Sequence, residues 1–169
     1  MTAAVLVALA VFIPMVAEAA VSARHDRALR AAGAVEPPGD VYKVMQAAYP
    51  AAFLVMLAEG LTRSTPVDGV FWIGAGIFAV AKVLKYWAIT TLGERWTFRV
   101  LVPPRSRRVV SGPYRWIRHP NYLAVAGELA GAAVMMRALV AGPLATLGFG
   151  ALMLARIRVE ERALDLERQ

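Results

Sequence analysis

Five long apolar segments, separated by polar stretches that differ strongly in arginine content, constrain this chain more than any other feature. The segments are Ala3–Val21, Tyr42–Leu61, Val67–Thr90, Tyr122–Met136 and Leu139–Ala155. A helix needs about 20 mostly apolar residues to cross the hydrocarbon core of a bilayer, and each segment approaches that length. The sequence therefore predicts an all-α, polytopic membrane protein with five transmembrane helices, folded as a single domain over residues 1–169.

The last two apolar segments are the shortest, and only Arg137 and the pair Gly142-Pro143 interrupt them. We expect them to form a tight helical hairpin, for which full crossing and partial insertion both remain open. The composition agrees with a membrane protein, since 59% of the residues are hydrophobic and the mean hydropathy is +0.53. The run from Met1 to Ala20 resembles a signal peptide in length. It lacks a basic start and other apolar segments follow it, so we predict a first membrane helix.

The arginines predict how the chain is oriented. Segments 24–43 and 93–121 and the tail after residue 155 are strongly basic, whereas the two other connections contain only Arg63 and Arg137. With five crossings, all three basic segments lie on one side, which the positive-inside rule assigns to the cytoplasm. This arrangement explains the net charge of +7 without nucleic acid, which we exclude as a partner. The absence of cysteine excludes disulfides and thiolate metal sites, and we predict no metal.

The stretch Ser111–Tyr122, which opens the fourth apolar segment, is dense in polar and aromatic residues. Gly112-Pro113 predicts a turn, and Pro120 both restricts His119 to an extended conformation and suits the first turn of a helix. Free N–H groups at such a helix start stabilise an anionic group, and the aromatic rings offer flat surfaces for a nucleobase or a sulfonium. The alternative is an interfacial aromatic belt with snorkelling arginines. A belt, however, does not require histidine, asparagine and two turn prolines.

The tail supplies charges that can complement this stretch from the same side of the membrane. Arg156 and Glu160 are four residues apart, so they share one face of a helix. In the functional interpretation, Glu160 accepts hydrogen bonds or balances a positive ligand, and Arg156 binds an anionic one. In the alternative interpretation, they belong to a solvated helix end with ordinary salt bridges.

Two motifs in these regions resemble those of the isoprenylcysteine carboxyl methyltransferase family. They are Gly-Pro-Tyr-x-x-x-Arg-His-Pro-x-Tyr, beginning at Gly112, and Arg-x-x-x-Glu-Glu-x-x-Leu, beginning at Arg156. The resemblance covers roughly Leu92 to Leu166. It implies an integral membrane methyltransferase that uses S-adenosylmethionine (SAM), with a pocket formed by the cytosolic loop, the hairpin and a C-terminal helix.

The resemblance also implies roles for individual residues. Cofactor contacts would come from Val109, Tyr114, His119, Pro120, Asn121, Tyr122 and Glu160, together with backbone from about Ser106 to Val109. Arg156 matches an arginine that contacts the substrate or its carboxylate.

Glu128 is the residue that we expect to act on the methyl acceptor. It lies about 9 Å along the fourth helix from Tyr122, and an ionisable residue inside a membrane helix usually faces a cavity or a partner. It could accept a proton from a phenol or enol. The alternative is a structural ion pair with Lys82 or Lys85. Glu59 is a weaker candidate because it lies near the opposite end of its helix, and we expect His25, in the first loop, to be solvated.

The segments Arg24–Pro37 and Leu92–Val100 look similar to a bacterial subgroup of the family, often associated with type III polyketide synthases. This resemblance implies O-methylation of a lipophilic alkylpyrone or alkylresorcinol in a bacterial plasma membrane, with the active site facing the cytoplasm. A prenylcysteine carboxylate or an amino lipid is the alternative acceptor. A non-catalytic membrane interaction protein is the alternative from another functional class, and the oligomeric state stays open.

Overall fold

The computed structural model describes residues 2–63, 65–104 and 109–166, and within these ranges it contains five α-helices and no strand. The helices are α1 (Thr2–Ala31), α2 (Tyr42–Thr62), α3 (Gly69–Leu92), α4 (Pro120–Met135) and α5 (Ala141–Leu166). Short 3-10 turns occupy Gly93–Arg95 and Gly112–Arg115. The all-α prediction is confirmed.

Three of these helices are long and apolar enough to cross a membrane, which makes this an integral membrane protein. They give the candidate spans Ala3–Ala31, Tyr42–Thr62 and Gly69–Arg95. Helix α4 has 16 residues and a length of about 24 Å, which is less than the hydrocarbon thickness. The predicted crossings by α4 and α5 are therefore not confirmed.

Two helices extend further than the hydropathy pattern predicts. Helix α1 continues to Ala31, so its arginines at 24, 27 and 30 lie on the helix and not in a loop. Alanine and arginine are strong helix formers, and the first glycine or proline after Pro14 is Gly33. Helix α5 likewise runs from the last apolar segment through the charged tail, so the fifth segment and the predicted C-terminal helix are one continuous element.

Glycines allow the short helix α4 to pack closely on α3. A Cβ atom at Gly131 would lie 2.7 Å from the Phe78 amide nitrogen, and one at Gly74 would lie 2.6 Å from that of Met135. Such close approach of two backbones through small residues is how helices associate when lipid removes most of the hydrophobic driving force. Leu129 and Met135 of α4, and Met136 directly after it, belong to the buried hydrophobic core.

The helix connections gather at two ends of the molecule. At the end that we call the basic end, Val35 and Val102 exchange backbone hydrogen bonds of 3.1 and 3.0 Å, which joins the α1–α2 connection to the segment after α3. At the opposite end, Glu59 accepts hydrogen bonds from the first amides of the α5 region, at Val140 and Ala141. The prediction that Glu59 lies away from the motif is confirmed.

The positions of the helix ends limit the possible membrane topologies. If α1, α2 and α3 cross, the α1–α2 and α3–α4 connections lie on the same side, whether or not the α4–α5 hairpin crosses as well. The hairpin returns its C-terminal end to that side, where Arg156 of α5 pairs with Asp40. The three basic segments thus lie at one end of the bundle, as predicted.

Candidate active site at the basic end

The turn Gly112–Arg115 docks the motif against the end of α3. Gly112 has a φ of +55°, and a Cβ atom there would collide with the Thr91 side chain, so glycine is required on both counts. Pro113 is fully buried, and the Tyr114 amide donates a 3.1 Å hydrogen bond to the Ser111 carbonyl. The predicted turn is therefore present.

Pro120 begins helix α4 as the sequence predicts, whereas His119 is not helical but is not in the predicted extended conformation either. His119 has φ −131° and ψ 66°, outside the helical region, and the buried Pro120 is the first residue of the helix. The side chain of His119 makes no capping bond to the helix, so its ring is available for contacts elsewhere. The His119 and Tyr122 rings lie side by side, with their centroids 5.6 Å apart.

Both halves of the motif meet at this point. The Tyr122 hydroxyl donates a 2.9 Å hydrogen bond to Glu160, and Nε2 of His119 lies 3.2 Å from Oε1 of Glu161. Nδ1 of His119 is 3.8 Å from Glu160. Two aromatic rings and two carboxylates from segments about forty residues apart thus line one region, which suits a ligand that combines a flat base with positive charge.

Three further residues are predicted to contact the cofactor, and the structure places Tyr114 near Glu160. Burial and the nearby Glu160 carboxylate raise the pKa of Tyr114 well above its usual range, so its hydroxyl remains a hydrogen-bond donor at neutral pH. Oδ1 of Asn121 is buried and has no hydrogen-bond partner among the described residues. Val109 is half-buried, but the predicted backbone contacts from Ser106 to Arg108 lie outside the described residues.

Arg156 is buried and paired with a residue that sequence reasoning did not single out. Its guanidinium lies 3.6 Å from Oδ1 of Asp40, and it also interacts with the Tyr122 hydroxyl. Asp40 accepts 3.1 Å hydrogen bonds from the amides of Tyr42 and Val100. From sequence, an aspartate two residues before a helix indicates a capping role only. Its contact with α5 arises from the tertiary fold.

Glu128 is completely buried and forms the ion pairs that were the alternative to a catalytic role. Its carboxylate lies 3.1 Å from Lys82 and 3.2 Å from Lys85, and it accepts a hydrogen bond from the Tyr49 hydroxyl. Glu18 of α1 lies 2.9 and 2.7 Å from the same two lysines. We call these four charged residues the ion-pair quartet. The sequence analysis missed Glu18, although an acidic residue within an apolar run signals a buried partner.

The expectation that His25 is solvated is wrong. His25 lies on α1, is buried, and its Nδ1 is 2.8 Å from the Trp96 carbonyl. Arg99, in the same segment after α3, pairs with Asp26 at 3.2 Å and with Glu36 at 3.0 Å. Partial burial acts to raise the pKa of Glu36, but hydrogen bonds from Arg30 and Arg99 hold it below its usual range. The end of α1 therefore holds the segment leading into the motif.

Comparison with known proteins identifies the family. Residues 73–166, more than half of the chain, match the model of the isoprenylcysteine carboxyl methyltransferase family. An uncharacterized protein of Bacillus subtilis (strain 168), YpbQ, is 31% identical over 150 residues, covering 88% of this chain and 89% of the relative. An uncharacterized protein of Haemophilus influenzae is 27% identical over 150 residues, covering 86% of this chain and 85% of that protein. No solved structure matches. The matched region begins in α3 and ends in α5, so it contains both motif halves and the contacts between them, and the chain belongs to the isoprenylcysteine carboxyl methyltransferase family.

Proposed function

We propose that this protein is a SAM-dependent O-methyltransferase whose active site is the basic end of the helical bundle. The observation that carries the proposal is the meeting of the two motif halves through the Tyr122–Glu160 and His119–Glu161 contacts. Membership of a family of membrane methyltransferases supports the reaction type. The non-functional interpretation, an aromatic belt with a separate solvated tail, does not account for these contacts.

The side chains at the basic end fit the cofactor. SAM supplies an electrophilic methyl group on a positively charged sulfur. The Glu160 carboxylate can balance positive charge, and the rings of His119 and Tyr122 present flat surfaces for an adenine base. The unpaired Oδ1 of Asn121 requires a donor, which a ligand amine or hydroxyl would provide. These residues hold and orient the ligand, which is the main task when the transferred group is already activated.

We further propose that the acceptor is a hydroxyl on a lipophilic alkylpyrone or alkylresorcinol, reached from a bacterial plasma membrane. Two neighbouring apolar grooves, of about 570 and 370 Å³, run between α2 and α5 and share Val55 and Leu144. The second groove extends to Leu152, one helical turn before Arg156. An alkyl tail in this groove would place its head group near Arg156, at the end that we assign to the cytoplasm.

Glu128 could either accept the proton of the acceptor hydroxyl or serve only as a structural ion-pair partner. The two lysines and the Tyr49 hydroxyl that hold its carboxylate favour a structural role. His119, in contact with Glu161, is another group at the basic end that can accept a proton.

We expect Glu128→Gln to reduce stability while turnover per folded molecule stays within a few-fold of wild type. The measurement is methyl transfer from labelled SAM to an alkylresorcinol. Glu18→Gln is the matched control, because it removes the other carboxylate of the quartet. A fall in turnover of about 100-fold or more with Glu128→Gln alone would instead establish Glu128 as the base.

The proposal as a whole is tested with the purified protein in detergent and with cell membranes. We expect saturable binding of SAM and of S-adenosylhomocysteine in a calorimetric titration. We also expect lipid extracts from cells that produce the protein to contain a species heavier by one methylene group than in cells without it. A folded protein that binds neither compound would reject the methyltransferase assignment and favour a non-catalytic membrane protein.

A further inference from the structure

We propose that Asp40 determines acceptor specificity, by directing the site toward uncharged hydroxyl groups and against carboxylates. The inference rests on the proposed function and narrows the substrate class of the same site. Asp40 lies in the connection between α1 and α2, outside both halves of the motif. Its link to the site is the ion pair with Arg156.

The carboxylate of Asp40 is fixed in place. Its side chain is 3% exposed, that of Arg156 is 7% exposed, and the two charges are 3.6 Å apart. The Tyr42 amide donates to Oδ1 and the Val100 amide donates to Oδ2, each at 3.1 Å. Backbone amides of two segments thus hold the carboxylate beside Arg156.

The charge of Arg156 is therefore already offset before an acceptor binds. An acceptor carboxylate at Arg156 would stand beside the fixed Asp40 carboxylate, close to the acidic pair Glu160 and Glu161. Like charges within a few ångströms in a poorly solvated site repel strongly, which weakens binding of the ionised form. A neutral hydroxyl oxygen accepts a hydrogen bond from the guanidinium without this repulsion. The arrangement of charges thus selects an un-ionised hydroxyl, such as that of a phenol, over a carboxylate.

Equilibrium binding of two amphiphiles with similar alkyl chains tests the proposal without relying on turnover. Pentadecylphenol is neutral at pH 7 and palmitate is anionic, and each is titrated into the full-length protein in the same detergent. We expect wild type to prefer pentadecylphenol. Asp40→Asn should raise the affinity for palmitate at least about tenfold and change that for pentadecylphenol by no more than about twofold, because only the anion senses the removed charge.

Two matched variants separate this effect from general changes in charge or structure. Asp40→Glu keeps the carboxylate and should keep the wild-type preference. Glu36→Gln removes a charge from the same connection, but Glu36 pairs with Arg30 and Arg99, so the preference should again stay unchanged. A folded Asp40→Asn protein with unchanged or lower palmitate affinity overturns the proposal, as does an equal gain in Glu36→Gln.

A further variant keeps the test decisive if Asp40→Asn does not fold. Arg156→Gln leaves the Asp40 carboxylate unopposed, so it should weaken palmitate binding more than pentadecylphenol binding. Equal losses for the two probes would overturn the proposal. A titration of the wild-type protein with SAM tests the proposed function independently. If the protein does not bind SAM, the proposed function is rejected, but the relative affinities for palmitate and pentadecylphenol still test the role of Asp40.

Discussion

Replacing Lys85 with methionine is expected to lower the free energy of unfolding by about 3–5 kcal/mol, the usual cost of removing one partner from a buried ionic network. Lys85 is almost fully buried between Glu18 and Glu128. In the variant, Lys82 alone must balance both carboxylates, so one buried negative charge is left without compensation. The measurement is reversible unfolding of the purified protein in mixed detergent micelles.

A surface variant and a double variant provide the controls. Arg63→Met breaks the Glu59–Arg63 pair, in which the arginine side chain is 43% exposed, and should cost no more than about 1 kcal/mol. Adding Glu128→Gln to Lys85→Met restores the balance of charge, so the double variant should be more stable than the sum of the single effects predicts. Equal losses for Lys85→Met and Arg63→Met would show that the quartet contributes little.

The quartet also explains how the interior of the helical bundle supports the candidate site. Glu128 lies about two turns below Tyr122 on α4, and its partners come from α1 and α3. The four charges therefore fix the position of α4, whose first residues carry the motif. Helix α4 is short and therefore offers less apolar surface for packing than a longer helix would. The buried ion pairs and the close glycine contacts with α3 help to hold it in place.

The sequence predicted the contacts between the two motif halves better than the contacts that hold these halves in place. The spacing of His119, Tyr122 and Glu160 within two recognisable motifs indicated that the loop and the tail meet, and the charge distribution placed them at one end. Neither Asp40 nor Glu18 could be assigned in this way. Their partners lie on distant helices, and which polar side chains meet depends on the rotation and depth of each helix in the bundle.

Helix boundaries and membrane crossings show a second limit of the pattern. The apolar segment ends at Val21, but helix α1 continues to Ala31. The additional residues are rich in alanine and arginine, which favour a helix outside an apolar environment as well. In α4, an apolar stretch of marginal length is compatible with crossing and with burial against α3. Composition alone does not distinguish the two, since both environments favour the same residues.

Replacing Glu160 with glutamine is expected to weaken SAM binding by about 10- to 100-fold. A hydrogen bond to a charged group is worth about 1.5–3 kcal/mol when its partner is otherwise left unsatisfied, and this variant also removes the charge that would balance the sulfonium. The dissociation constant is measured by calorimetric titration of the protein in detergent. His119→Ala should also weaken binding, because the ring packs beside Tyr122 and contacts the same acidic pair.

Two comparisons identify what Glu160 recognises. Glu94→Gln removes an exposed acid at the same end of the molecule, so it should leave the affinity for SAM within about twofold, as expected for a screened surface charge. S-adenosylhomocysteine lacks the positive charge on sulfur, so Glu160→Gln should weaken its binding less than that of SAM. Equal losses would assign Glu160 to a hydroxyl or amine of the cofactor. Unchanged affinity in both Glu160→Gln and His119→Ala would place the cofactor elsewhere, because these two side chains join the halves of the motif.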